Sequence, residues 1–440
     1  MTTARRERSL AELYADDAER ADALAFGRRG ALRGASLAAV GAAVGAAIPF
    51  GPNLPAGLLP AALAQPAAGA GGEPPVLRMD GKAPLLLLGE RPLVAETPET
   101  MLDDAVTPND KMFVRNNGGI PERLAGDPKA WRLRVDGEVG TPLDLSLGEV
   151  EARFEAVTLR LQMECGGNGR AAFVPETRGN QWGNGAISNA EWTGVRLRDL
   201  LRAAGVKDTA RHTGHFGADP HLSGATDRQA ISRGMPVEKA MEDTTLVAFR
   251  VNGGPLPHVH GHPVRLIVPG WPGSLSQKWL TRIALLREPH TGQGMGGTSY
   301  RLPVRPIVPG SQDNGRDFAD MTSMPVRSVL TSLAHGARLP AGTRRLDLRG
   351  ATWAGDLTVR AVHASADFGA TWTPMRVADP ANRHAWQRWD GSLGLPSDGY
   401  FEVWYRATDS QGRMQTHAAA NWNPQGYGAN VMGRAAVLVG

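Results

Sequence analysis

Fifty-four glycines and 32 prolines run through 440 residues. Both residue types interrupt regular structure and supply turns, so the chain has to fold from short elements joined by many turns. That composition favours all-β and mixed folds. The length allows two or three domains with a sizeable core. Hydrophobic residues at 42% and charged residues at 21% are ordinary for a globular protein. The net charge of +4 is mild, and no dense Lys/Arg run is interleaved with aromatics, so nucleic acid is not an expected partner.

The first segment reads as an address. A polar stretch ends in Arg28-Arg29-Gly30, and an apolar run of small residues follows from Ala35 to Ile48. The run is too short to span a membrane and has the length of a signal-peptide core. Ala62-Leu63-Ala64 suits cleavage after Ala64. Paired arginines before the core read as a twin-arginine export signal, although Ala31 stands where an aromatic is common. An Ala-rich amphipathic helix is the plain alternative, and Pro49, Pro52 and Pro55 count against it. Residues 1–64 are therefore expected to be a signal peptide, and the mature protein a periplasmic one with no stable membrane anchor. Pro66 to Pro75 has the composition of a flexible lead-in.

Two textures follow. Trp131 to Gly137 alternates and ends in Asp-Gly, as a strand and turn do. Val157 to Met163 alternates and runs into Cys165. Leu197 to Gly205 reads as a short helix, with Leu197, Leu200 and Leu201 on one face and Gly205 as its stop. Leu246–Val251 and Val264–Val268 read as buried strands broken by Gly253-Gly254-Pro255 and Pro269-Gly270. Beyond Pro309, period-two stripes at Arg344-Leu346-Leu348, Leu357-Val359-Ala361-His363 and Phe401-Val403-Tyr405 point to a β-sandwich of about 100 residues. The expected class is α+β: a mixed α/β domain over 65–310, then an immunoglobulin-like β-sandwich over 311–440.

Cys165 is the only cysteine, so no internal disulfide forms. An inert buried thiol, an intermolecular bridge and a reactive or ligating thiol all fit the count. Its setting is Glu164-Cys165-Gly166-Gly167-Asn168-Gly169-Arg170: a strand delivers a thiol into a glycine-rich loop with an arginine five residues on. Glycines let the backbone approach a bulky group, and a nearby cation favours the metal-binding thiolate. The same loop also suits a plain tight turn.

The neighbouring motifs decide between these readings. Phe113-Val114-Arg115-Asn116-Asn117, Gln181 to Ser188, Trp192 to Leu197, Asn252 to Pro257, His260 to Arg265, Pro269-Gly270 and Lys278-Trp279-Leu280 follow in order. With the Cys165 loop they resemble the sulfite oxidase family of molybdopterin oxidoreductases, from about Val106 to Pro306 and more faintly to the C-terminus. The resemblance implies a molybdenum-molybdopterin cofactor with Cys165 as the protein ligand to the metal. It places Arg115, Arg170 and Trp182 around an oxyanion substrate and Tyr300 beside the metal. Phe113, Val114, Arg115, Asn116, Asn117, Asp219, His260, Arg265, Ser276, Gln277 and Lys278 fall at positions that hold the pterin and its phosphate. Arg434 is matched to a substrate-pocket arginine of the C-terminal domain, which in the family is a dimerisation domain.

The chemistry is consistent with that set. Two guanidiniums suit an oxyanion by bidentate, charge-assisted bonds. Tyr300 suits donation to developing negative charge, and Lys278 and Arg265 suit a phosphate. Each residue also has an ordinary reading: Arg170 in a surface ion pair, Trp182 in a core. His258-x-His260-x-His262, placed on one face of an extended strand, would suit zinc, but no carboxylate partner is evident. Two departures stand out. Asn117 replaces a common histidine, so it hydrogen-bonds but carries no proton charge. Gly166 replaces a common alanine, which is expected to loosen the loop.

A haem attachment motif needs two cysteines, so electrons are expected to leave to a separate c-type cytochrome. The expected activity is periplasmic oxidation of sulfite to sulfate by a homodimer. The alternatives are a sulfane-sulfur dehydrogenase subunit of a sulfur-oxidising complex, a methionine sulfoxide reductase-like molybdoenzyme, and a non-catalytic secreted binding protein.

Overall fold

A computed structural model describes residues 75–440. The signal-peptide reading and its cleavage site lie outside the described residues. Almost everything inside them is strand and turn, as the glycine and proline content demands.

Two five-stranded sheets form the first part. One runs Leu143–Ser146, Arg132–Gly137, Leu280–Leu286, His212–Gly217, Ser232–Pro236 in spatial order. Its Arg132–Gly137 and Leu280–Leu286 strands pair parallel although 148 positions separate Arg134 from its partner Arg282. The other runs Gly254–Pro255, Leu246–Val251, Ile187–Arg196, Ala156–Glu164, with Arg265–Ile267 also on Leu246–Val251. Gly253-Gly254-Pro255, read as a break, is instead the return of a tight hairpin in which Val251 faces Gly254.

The helices are few and locally specified. Leu147–Arg153 starts on a capping box, in which the Ser146 side chain accepts from Glu149 N and Glu149 reaches back to Ser146 N. Leu197–Ala204 buries Leu197, Leu200, Leu201 and Ala204 and ends at Gly205, whose φ of 66° favours glycine. These residues join Val135, Val195, Val247, Leu266 and Ile283 in a core fed by both sheets. Each fully buried leucine contributes about 2 kcal/mol.

The C-terminal part is one curled eight-stranded sheet. Its order is Arg327–Leu330, Arg345–Trp353, Gln387–Gly394, Thr373–Val377, Val359–Ser365, Gly399–Asp409, Gly433–Val439, Ala337–Leu339. This is the immunoglobulin-like module, with Leu346, Leu348, Val362, Trp389, Val403 and Tyr405 enclosed by the curl. The stretch from Pro309 to Met324 is not bare linker, because Phe318–Asp320 pairs with Arg301–Pro303.

The two parts are locked by buried polar contacts. Arg327, from the first strand of the curled sheet, donates to Asn168 O at 2.8 Å and faces Glu164 Oε1 at 3.4 Å. Trp353 Nε1 donates to Glu164 Oε2 at 2.8 Å. The C-terminal sheet therefore grips the residue that precedes Cys165.

Candidate active site

Cys165 sits at the end of the strand Ala156–Glu164, where the ladder to Ile187–Arg196 stops at Glu164 opposite Ile187. Asn168 N donates to Cys165 O at 2.9 Å and closes a turn. Asn168 also ties the loop down with its side chain, donating to Glu164 Oε1 at 2.9 Å and accepting from Ala186 N at 3.1 Å. Gly169 has φ of 82° and opens the short 3-10 turn Arg170–Ala172. The loop is pinned, not loosened, at Gly166: Gly428 N donates to Gly166 O at 3.0 Å. A methyl there would lie 3.4 Å from both Met321 Sδ and Pro272 Cβ, so glycine gives clearance in a crowded place.

Cys165 is buried and shares one cavity with most of the residues singled out from the sequence. Phe113, Arg115, Asn116, Asn117, Asp219, His260, Arg265, Ser276, Gln277, Lys278 and Tyr300 all line it. Three do not. Val114 alternates with Arg115 on one short strand, so one points to the cavity and the other packs with Leu77, Leu85 and Val259. Trp182 is fully buried with Cys165, Phe113, Val94 and Ala186, and meets Phe113 edge to face at 6.0 Å. It supports the cavity wall from behind. Arg170 is buried as well, in no surface ion pair; it donates to Gln425 O at 2.7 Å and Asn180 O at 2.8 Å and lies over Tyr427. Arg434 stacks on Trp404 in the C-terminal sheet and does not line the cavity.

The three histidines part company. His258–His260 form a 3-10 turn, not a strand, which removes the common face a zinc site requires. His258 bonds Pro121 O at 2.8 Å, and His260 Nε2 meets Lys82 Nζ at 2.6 Å. Among the described residues one His/carboxylate cluster has metal-like spacing, Glu242, Asp356 and His384. Lys239 Nζ already bridges its two carboxylates at 2.9 and 2.7 Å, and Arg383 caps Glu242 at 2.8 Å. Two cations balance two anions there, which is a structural network.

The cavity is strongly positive. Arg115, Arg265 and Lys278 line it, Lys82 lies behind His260, and Asp219 is the sole lining carboxylate. Burial holds Lys82 down at about 7 and Arg265 at about 9. Burial, then the neighbouring cations, hold Lys278 and His260 well below their usual ranges. Burial pushes Asp219 up to about 6. Basic groups so crowded favour an anion among them.

The unpartnered polar atoms test which anion fits. Arg115 Nη1, Asn116 Nδ2, Arg265 Nε, Gln277 Oε1 and Trp279 Nε1 are buried with no protein partner. All five belong to cavity residues, and four are donors. Such atoms are costly unless a ligand satisfies them. A thiol at one end and donors and cations along the rest fit a large, phosphate-bearing, metal-carrying group.

Comparison with known proteins agrees. Residues 117–293 match the family model described as an oxidoreductase molybdopterin binding domain. The chain is 33% identical to sulfite oxidase of Gallus gallus over 349 residues, covering 77% of this chain and 74% of that one. This chain belongs to the sulfite oxidase family. Its cofactor is molybdenum-molybdopterin. Human mitochondrial sulfite oxidase is 31% identical, with 80% of this chain and 65% of that protein covered, so about a third of the human protein has no counterpart in the match. Among solved structures, the sulfane dehydrogenase SoxCD from Paracoccus pantotrophus superposes with a TM-score of 0.64 at 26% identity, covering 84% of this chain and 91% of that chain.

Several lining residues escaped the sequence reading: Met163, Ile231, Gly273, Ser274 and Trp279. Trp279 lies inside a quoted motif, and its neighbour Lys278 was a signal. Lys82 had none, since its partner His260 is 178 positions away.

Proposed function

We propose that this member of the sulfite oxidase family oxidises sulfite to sulfate in the periplasm, as a homodimer that passes electrons to a c-type cytochrome. One observation carries the substrate class. Arg115 enters the cavity beside Cys165 and Tyr300 with Nη1 unpartnered, which suits a small oxyanion.

The net reaction adds one water oxygen to sulfite and releases two protons and two electrons. When bound, the molybdenum cofactor supplies oxygen-atom transfer and the two-electron store. The protein supplies the rest. Cys165 provides the sulfur ligand. Lys278, Lys82 and Arg265 offset the phosphate charge, and Gln277 and Asn116 offer further polar contacts. Arg115 binds and orients the substrate anion. Tyr300 Oη donates to Asn117 Oδ1 at 3.4 Å, and with substrate bound that proton would turn toward the oxygen that gains charge. Asn117 holds the hydroxyl beforehand as an acceptor that takes no proton. The buried wall of Phe113 and Trp182 excludes water from the sulfur side.

A cytochrome-linked assay on molybdenum-replete protein tests the reading, with sulfite as donor. Turnover with sulfite is expected; no turnover with sulfite but turnover with a protein-bound sulfane sulfur overturns it. That second reading is favoured by the SoxCD superposition and by the uncharged Asn117 in the pocket.

A further inference from the structure

Tyr300 points into the cavity, yet its ring is held from outside it. Its φ is 51°, a left-handed conformation that bulky residues adopt only where their surroundings impose it. Its hydroxyl contact to Asn117 is long at 3.4 Å. The firm contacts are to the ring. Arg233, on the strand Ser232–Pro236, places its guanidinium carbon 4.6 Å from the ring centroid. Tyr427, from the loop before the last strand of the curled sheet, stacks on the same ring at 5.0 Å and 13°.

Arg233 is an unusual buried cation. It is 1% exposed, and among the described residues no carboxylate comes within 4.0 Å of it, Asp320 acting on it only from farther away. Its Nη1 donates to Gly294 O and to Met295 Sδ, and its Nε has no partner. Compare Arg327, equally buried, which faces Glu164. A guanidinium kept in the interior without a carboxylate is costly. Here the negative face of the Tyr300 ring, at 4.6 Å, supplies the close compensation. Ile231, two residues earlier on the chain, lines the cavity itself, so this strand edge forms the wall behind Tyr300.

We propose that Arg233 is a positioning residue that acts through Tyr300, its cation–π grip fixing where the phenol hydroxyl points in the cavity. The catalytic half of the inference rests on the role proposed above for Tyr300. A donor stabilises developing charge only if its position is set beforehand, and a displacement of about 1 Å costs about a hundredfold in rate. Because Arg115 binds the substrate and Tyr300 acts on developing charge, loss of Arg233 should fall mainly on kcat.

The test uses holoenzyme and two readouts. Arg233→Met should lower kcat at least about tenfold while KM for sulfite changes less than about threefold, and Arg233→Lys should recover part of the loss. The second readout is nitration by tetranitromethane, followed residue by residue by peptide mass spectrometry. Tyr300 should resist nitration in the wild type relative to exposed Tyr400, and react several times faster in Arg233→Met, with buried Tyr405 unchanged. Unchanged Tyr300 nitration overturns the proposal, whatever happens to kcat. Equal gains at Tyr300 and Tyr405 also overturn it, since they indicate general loosening. If Arg233→Met does not fold, Arg233→Lys, which keeps the charge but loses the guanidinium group over the ring, gives the same comparison at smaller amplitude. Nitration needs no substrate: a clear Tyr300 response in an enzyme inert to sulfite leaves the grip standing and removes the proposed function.

Discussion

Arg327→Met is the sharpest test of how the two parts of the molecule hold the cysteine loop. Arg327 and Glu164 are each 2% exposed in their side chains and lie 3.4 Å apart. Glu96 and Glu99 also face the guanidinium, and burial raises all three carboxyl groups above the usual range. Methionine keeps much of the volume and removes the charge. Breaking a buried pair by deleting one partner costs about 3–5 kcal/mol. The carbonyls of Asn168 and Ala429 lose a donor as well, at about 1–3 kcal/mol for each one left unsatisfied. A freed carboxylate escapes part of the penalty by taking a proton, at about 1.4 kcal/mol for each pH unit above its pKa. The expected net loss near neutral pH is therefore about 3–5 kcal/mol, read from denaturant unfolding. A loss below about 1 kcal/mol for Arg327→Met would refute the reasoning.

Three further outcomes are expected. Arg115→Met should raise KM for sulfite about 10–100-fold, the worth of a charged hydrogen bond, with molybdenum content by elemental analysis unchanged. Lys278→Met should lower the pterin and molybdenum recovered per chain, because it removes a cation that now also bonds Val259 O at 2.8 Å. Glu96, whose carboxyl burial pushes up to about 7 from 4.5, binds its proton more tightly folded than unfolded. Its contribution is thus intact below about 4.5 and lost as pH rises to about 7, and Glu96→Gln should flatten unfolding free energy against pH across that window.

Much of the local structure was legible because it depends on neighbours in the chain. The stripe at Val157 to Met163 became the strand Ala156–Glu164, and Leu197 to Gly205 became a helix with its glycine stop. The stripes of the C-terminal region became strands of the curled sheet. The strand face that would suit zinc at the histidine triplet does not form, because proline at 257 and glycine at 261 bracket a 3-10 turn. The reading of Arg170 as a pocket residue came from the family resemblance. Its guanidinium instead meets carbonyls from Asn180 and Gln425, the latter 255 positions away.

What the sequence alone determined is the feature it is densest in: many turns, hence short strands, with one thiol set in a glycine loop at the end of one of them. Backbone preferences and period-two patterns act over a few residues, so a single chain states them directly. The cavity's charge, the grip of Arg233 on Tyr300 and the pairing of Arg327 with Glu164 were decided only in the tertiary structure. The last two join residues 67 and 163 positions apart. Their energies arise from desolvation and close approach, and both exist only once the sheets have packed.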